Sequence, residues 1–136
     1  MSGVSHRTVL PDGWPRPRGF SHAVVATGST TVRVAGQLAT ENGAPVREGL
    51  GIGEQWRLAL ANVVTVVRAA GGDIPQIVLL RAFVTDIEEF KSGGAQIGEA
   101  WSATLGRHFP AMTLVEVSGL IDPNARVEIE GEAVLE

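Results

Sequence analysis

The chain has 136 residues, 44% of them hydrophobic, and a formal net charge of −4 at pH 7; that suffices for one domain with a real core but not for two. Its basic residues are scattered, so no electrostatic footprint for nucleic acid emerges, and with no cysteine disulfides, thiolate metal sites and cysteine nucleophiles are excluded together. No apolar run reaches signal-peptide character at the N-terminus or the roughly 18 residues of a membrane span, so the expectation is a soluble, cytoplasmic protein without a membrane partner.

Residues 1–19 read as an N-terminal arm ending in Trp14-Pro15-Arg16-Pro17-Arg18-Gly19, which is too proline-rich for regular structure. Ser21–Thr27 and Thr31–Gln37 are β-type runs around Gly28-Ser29-Thr30, a hairpin pattern. After the loop Glu41-Asn42-Gly43-Ala44-Pro45, apolar residues at Ile52, Trp56, Ala59, Leu60, Val63, Val67 and Ala70 keep helical spacing until Gly71-Gly72. Gln76–Val84 is nearly continuous apolar chain and fits a central strand. A second helical stripe runs through Ile97, Trp101 and Leu105, and Pro110 forbids its continuation. Strands at about Met112–Leu120 and Arg126–Leu135, turned at Ile121-Asp122-Pro123-Asn124, complete the order ββαβαββ. The expected architecture is a single α+β domain over residues 1–136, with two helices packed on one face of a mixed sheet.

Strand alternation separates Thr113, Val115 and Val117 from Met112, Leu114, Glu116 and Ser118, and Val127 and Ile129 from Arg126, Glu128, Glu130 and Glu132. The helix-free face is expected to combine Met112 and Leu114 with the glutamates. Glu130 and Glu132 alone would suit a solvated face, but the two apolar neighbours point to partial burial against another subunit. Trp56 and Trp101 read as core, and Gln55 and Asn62 as polar groups serving backbone or a subunit contact. The single lysine, Lys91, stands in a polar turn with nothing to lower its pKa for Schiff-base chemistry. His6 falls in an N-terminus expected to be mobile, and His108 reads as a helix-end histidine. A metal would need His22, Glu116 and Glu128 to converge without any ligand-spacing motif, so neither metal nor cofactor is expected.

Phe20-Ser21-His22-Ala23-Val24, Val34-Ala35-Gly36-Gln37-Leu38, Ala69-Ala70-Gly71-Gly72, Phe83-Val84-Thr85-Asp86, Pro110-Ala111, Val115-Glu116-Val117 and Val127-Glu128-Ile129-Glu130, in order, resemble the Rid proteins (the YjgF/UK114 group). The resemblance implies a homotrimer whose sheets build a central barrel, with small-molecule sites in clefts between subunits. It further implies hydrolysis of reactive enamines and imines to keto acids, without a cofactor. By position it puts Glu128 on the family's water-positioning glutamate, Gly36 on a backbone position lining the pocket, and Phe20 where deaminases usually carry tyrosine. Met112 stands in place of the arginine that pairs with the substrate carboxylate, Leu114 in place of a common cysteine, and the glycines near Gly94 in place of a pocket asparagine. A thioether supplies none of the paired charge-assisted hydrogen bonds of a guanidinium. A substrate carboxylate would therefore need another anchor, the nearest in sequence being Arg16 and Arg18, whereas Phe20, Met112 and Leu114 describe a more apolar pocket suited to an uncharged or aromatic ligand. His22, two positions beyond Phe20, is a possible acid or base or a hydrogen-bonded surface histidine. Three functions stay open: a Rid-like hydrolase with altered substrate, a non-catalytic binding or regulatory trimer, and an interaction module.

Overall fold

The computed structural model describes residues 5–136; the first four residues of the expected arm lie outside them. The strands are β1 (Ser5–Val9), β2 (Ala23–Thr27), β3 (Thr30–Gln37), β4 (Ile77–Val84), β5 (Ala111–Glu116) and β6 (Val127–Leu135), and the helices are α1 (Ile52–Ala69), α2 (Ile87–Ser92) and α3 (Gly94–Thr104). Four strands form one mixed sheet in the order β3-β6-β4-β5, with β4 and β5 parallel and the other pairs antiparallel. No helix is long and apolar enough to cross a membrane, among the described residues.

The expected β2–β3 hairpin does not form. Instead β2 pairs with β1, Val9 opposite Ala23, while β3 pairs with β6, Thr30 opposite Leu135. The turn explains the divergence: a side chain on Gly28 would meet the Leu135 carbonyl oxygen at 2.4 Å, so the chain reverses against the end of β6 and β3 leaves along that strand. His6 accordingly belongs to a strand, and its Nε2 lies 3.2 Å from the Val134 carbonyl oxygen.

The α1 stripe buries Trp56, Ala59, Leu60, Val63 and Val67, and covering each large apolar side chain is worth roughly 1.5–3 kcal/mol. Val127, Ile129 and Ala133 of β6 and Ile77, Leu80, Ala82 and Val84 of β4 face this layer. Gln55, fully buried, donates to the carbonyls of Leu50 and Asn124 and accepts the Arg126 N–H. Asn62 donates to the carbonyls of Leu38 and Thr40. Both amides thus hold the long loops onto α1 within one chain.

The second helical stripe is α3, and the polar residues ahead of it fold into α2, which holds Lys91 in its last turn. Asp86 accepts the N–H groups of Glu88 and Glu89 at the start of α2, and Glu116 accepts that of Ile87. His108 does not cap α3; its Nε2 meets the Ile77 carbonyl oxygen at 2.7 Å and ties the loop after the helix to the start of β4.

Candidate functional site

The parallel register of β5 decides where the predicted site residues fall. Leu80 stands opposite Met112 and Ala82 opposite Leu114; residues in register share a face, so Met112 and Leu114 lie on the helix side, packed against the core. The expected union of these two with the glutamates on the helix-free face is therefore corrected. On that face Phe83 stands opposite Glu128 and Val115, and Arg81 opposite Glu130 and Thr113. It is still a mixture of apolar and ionisable groups, with Val115 43% exposed, but Phe83 and Val115 supply the apolar part.

The three glutamates of β6 differ in their partners. Glu132 faces Arg33 at 3.8 Å and Glu130 faces Arg81 at 4.0 Å. Glu128 has no ion pair or side-chain hydrogen bond among the described residues. It is placed instead against Gly36. The β3–β6 register shifts between Val34 and Gln37, so that Ala35 and Gly36 stand opposite the single residue Glu130; such a bulge bends the strand and re-aims what lies beside it. A Cβ at Gly36 would come within 2.7 Å of the Glu128 carboxyl carbon and of Oε2. The glycine therefore gives the carboxylate room to lie over bare backbone, in hydrogen-bonding reach of whatever approaches this face.

On the other side of the sheet a cavity of about 590 Å³ opens between β5 and α3. Phe20, Trp56, Trp101, Phe109, Met112 and Leu114 line it, together with Arg18. Trp101 and Phe109 stack at 5.9 Å between ring centroids, and Trp56 meets Phe90 at 5.7 Å. Both tryptophans are buried as expected, yet they are also walls of this cavity, which helical periodicity could not reveal. Their donors differ: the Trp101 indole N–H is given to the His108 carbonyl at 3.1 Å, whereas that of Trp56 is buried without an acceptor among the described residues. Gly94 and Gly98 of α3 complete the lining and keep it open, since a Cβ at either would meet nothing within 4 Å.

Phe20 reaches the cavity because Ser21 is pinned to the start of β5. The Ser21 N–H donates to the Pro110 carbonyl at 3.1 Å, and its hydroxyl donates to that of Phe109 at 2.6 Å. His22 is exposed, with edge-on ring contacts to Trp14 at 5.0 Å and to Phe20 at 5.4 Å. It lines a second cavity of about 390 Å³, shared with Arg16, Arg107 and His108, from which Phe20 divides the first. His22, Glu116 and Glu128 thus occupy three separate places, and among the described residues no group of three or more histidine or acidic side chains is arranged to hold a metal. Within one chain the predicted site falls into two parts: Glu128 with Gly36 on the helix-free face, and Phe20, Met112 and Leu114 around the aromatic cavity.

Residues 15–135 match the family described as Endoribonuclease L-PSP. The chain is 26% identical over 135 residues, 98% of its own length and 93% of the relative's, to 2-iminobutanoate/2-iminopropanoate deaminase of Homo sapiens. Among solved structures, it superposes with a TM-score of 0.81 on a Yersinia pestis protein, YyfB, of the conserved Rid protein family, at 30% identity and with 96% of this chain and 98% of that one covered. Escherichia coli TdcF with bound serine gives a TM-score of 0.66 at 26% identity, covering 96% and 99% of the two chains.

Proposed function

The chain belongs to the Rid, or endoribonuclease L-PSP, family, and from that premise we propose that it is a hydrolase of imines or enamines. It would act as a homotrimer in the cytoplasm, with sites assembled between subunits. The observation that carries this reading is the state of Glu128, the one glutamate of its row without an arginine, held over the bare backbone of Gly36. Glu130 and Glu132 each face an arginine, whereas the Glu128 carboxylate is left to hydrogen-bond a water molecule or ligand at this face. The deaminase activity named for the human relative is of the kind such a carboxylate can serve.

In the reaction proposed, Glu128 orients a water molecule and accepts its proton while the oxygen bonds to the C=N carbon. That proton passes to nitrogen to give a carbinolamine; Glu128 then takes the hydroxyl proton and returns it to the amino nitrogen, so that the C–N bond breaks and ammonia leaves as the carbonyl forms. No cofactor takes part. The separation of Glu128 from the aromatic cavity supports assembly between subunits, in which one subunit supplies the carboxylate and its neighbour the cavity around Met112. A purely binding role is favoured by one observation, the absence of an arginine at Met112.

Turnover decides between the two. With an imine generated in solution from an amino acid, the protein should release ammonia and keto acid above the uncatalysed rate. Glu128→Gln should cut that rate by roughly 10²-fold or more while leaving assembly intact. Unchanged turnover in an intact Glu128→Gln assembly removes the catalytic assignment; no turnover with any imine leaves the binding role.

A further inference from the structure

Position 112 carries no charge, but the cavity around it does: Arg18, on the proline-rich stretch before Phe20, lines the same space as Met112 and Leu114. Arg18 is exposed and engages in no ion pair or side-chain hydrogen bond among the described residues, unlike Arg33, Arg47, Arg57, Arg68, Arg81 and Arg126, each of which meets a carboxylate. Arg16 sits two residues away but lines the neighbouring cavity with His22. Of the two arginines nearest in sequence, only Arg18 shares the lining of Met112.

The remaining lining indicates what the guanidinium would hold. The wall is aromatic and thioether surface, and about 590 Å³ falls within the roughly 300–1,000 Å³ of sites for drug-sized ligands. That is generous for a three- or four-carbon acid. We propose that Arg18 is the carboxylate anchor of this cavity and that its ligand is an organic acid with a large apolar or aromatic side chain. Under the hydrolase reading, on which this step rests, the substrate is the 2-imino acid of a bulky hydrophobic amino acid. A guanidinium gripping a carboxylate beside apolar walls forms strong, directional hydrogen bonds, while the side chain gains by leaving water.

Binding of inert probes tests the anchor independently of turnover, and Trp56 and Trp101 provide the fluorescence signal from the cavity wall. The expected order is 3-phenylpropionate tightest, with 3-phenylpropionamide and propionate each weaker by about tenfold or more. Arg18→Gln should abolish the preference for the acid over the amide, Arg18→Lys should retain part of it, and Arg16→Gln should leave it intact. Equal binding of acid and amide, or a preference that survives Arg18→Gln, overturns the proposal. If the acid binds through Arg18 but no imine is turned over, the anchor stands and the hydrolase reading fails. If imines are turned over while Arg18→Gln leaves KM and kcat unchanged for the imine of phenylalanine, the reverse holds.

Discussion

At the scale of single residues, the Glu128–Gly36 contact is the sharpest feature of the candidate site. Gly36→Ala would place a methyl carbon about 2.7 Å from the carboxyl group, closer than van der Waals contact allows, and the flexible end of Glu128 is what can yield. The expected outcome is a fall in turnover with little change in thermal midpoint, measured side by side; a large loss of stability with turnover per folded molecule unchanged would show that the contact is merely structural. The family resemblance singled out Glu128 and Gly36 as candidates, whereas the lack of a cation at Glu128 was not visible in the sequence, because the arginines opposite Glu130 and Glu132 come from β4 and β3. Arg18 shows the converse: its residue type and position were visible, but only the pinning of Ser21 to β5 sets Phe20, two residues on, into the cavity that Arg18 also lines.

Elements add their own constraints. Gly131 lies at the centre of β6, where a Cβ would meet both the Leu79 carbonyl oxygen and Leu80 Cδ2 at 2.9 Å. Backbone cannot retreat as a long side chain can, so Gly131→Ala should destabilise the fold by about 1–3 kcal/mol in denaturant titration. Ahead of β4, Asp73 caps the short 3₁₀ turn Ile74–Gln76: its side chain accepts the Ile74 N–H at 2.8 Å, and Gln76 returns the favour to the Asp73 N–H at 2.7 Å. The bond from the Ile74 N–H, helped by Arg68, holds the Asp73 carboxyl below its ordinary value of 3.8. A depressed folded-state pKa stabilises above the unfolded value and is lost as pH falls through the folded one. Asp73→Asn should therefore be less stable than the parent at neutral pH, and the gap should close as the solution is acidified below that ordinary value; a gap independent of pH would deny the carboxylate its role. Both long helices were readable from periodicity, since one buried face imposes it, and the central strand from its nearly continuous apolar run. The partners of β2 and the orientation of β5 were not, because alternation tells which residues share a face without telling which face meets the helices.

For the molecule as a whole, the helix-free face bears most on assembly. Phe83 and Val115 lie among glutamates there, an arrangement suited to partial burial. Light scattering should return three times the 14.3 kDa chain mass, and Phe83→Arg should shift the population toward monomer. A monomeric parent protein would dissolve the inter-subunit site together with the oligomer. The strand order β3-β6-β4-β5 has another consequence, which concerns synthesis. Strand β6, which leaves the ribosome after β3, β4 and all three helices, is the one that must enter between β3 and β4, so a nascent chain already carrying those helices still has a gap in the middle of its sheet. Folding of that sheet must wait for β6, and during the wait the inner edges of β3 and β4 are open to other chains. Chaperone demand should accordingly be greatest just before β6 is made.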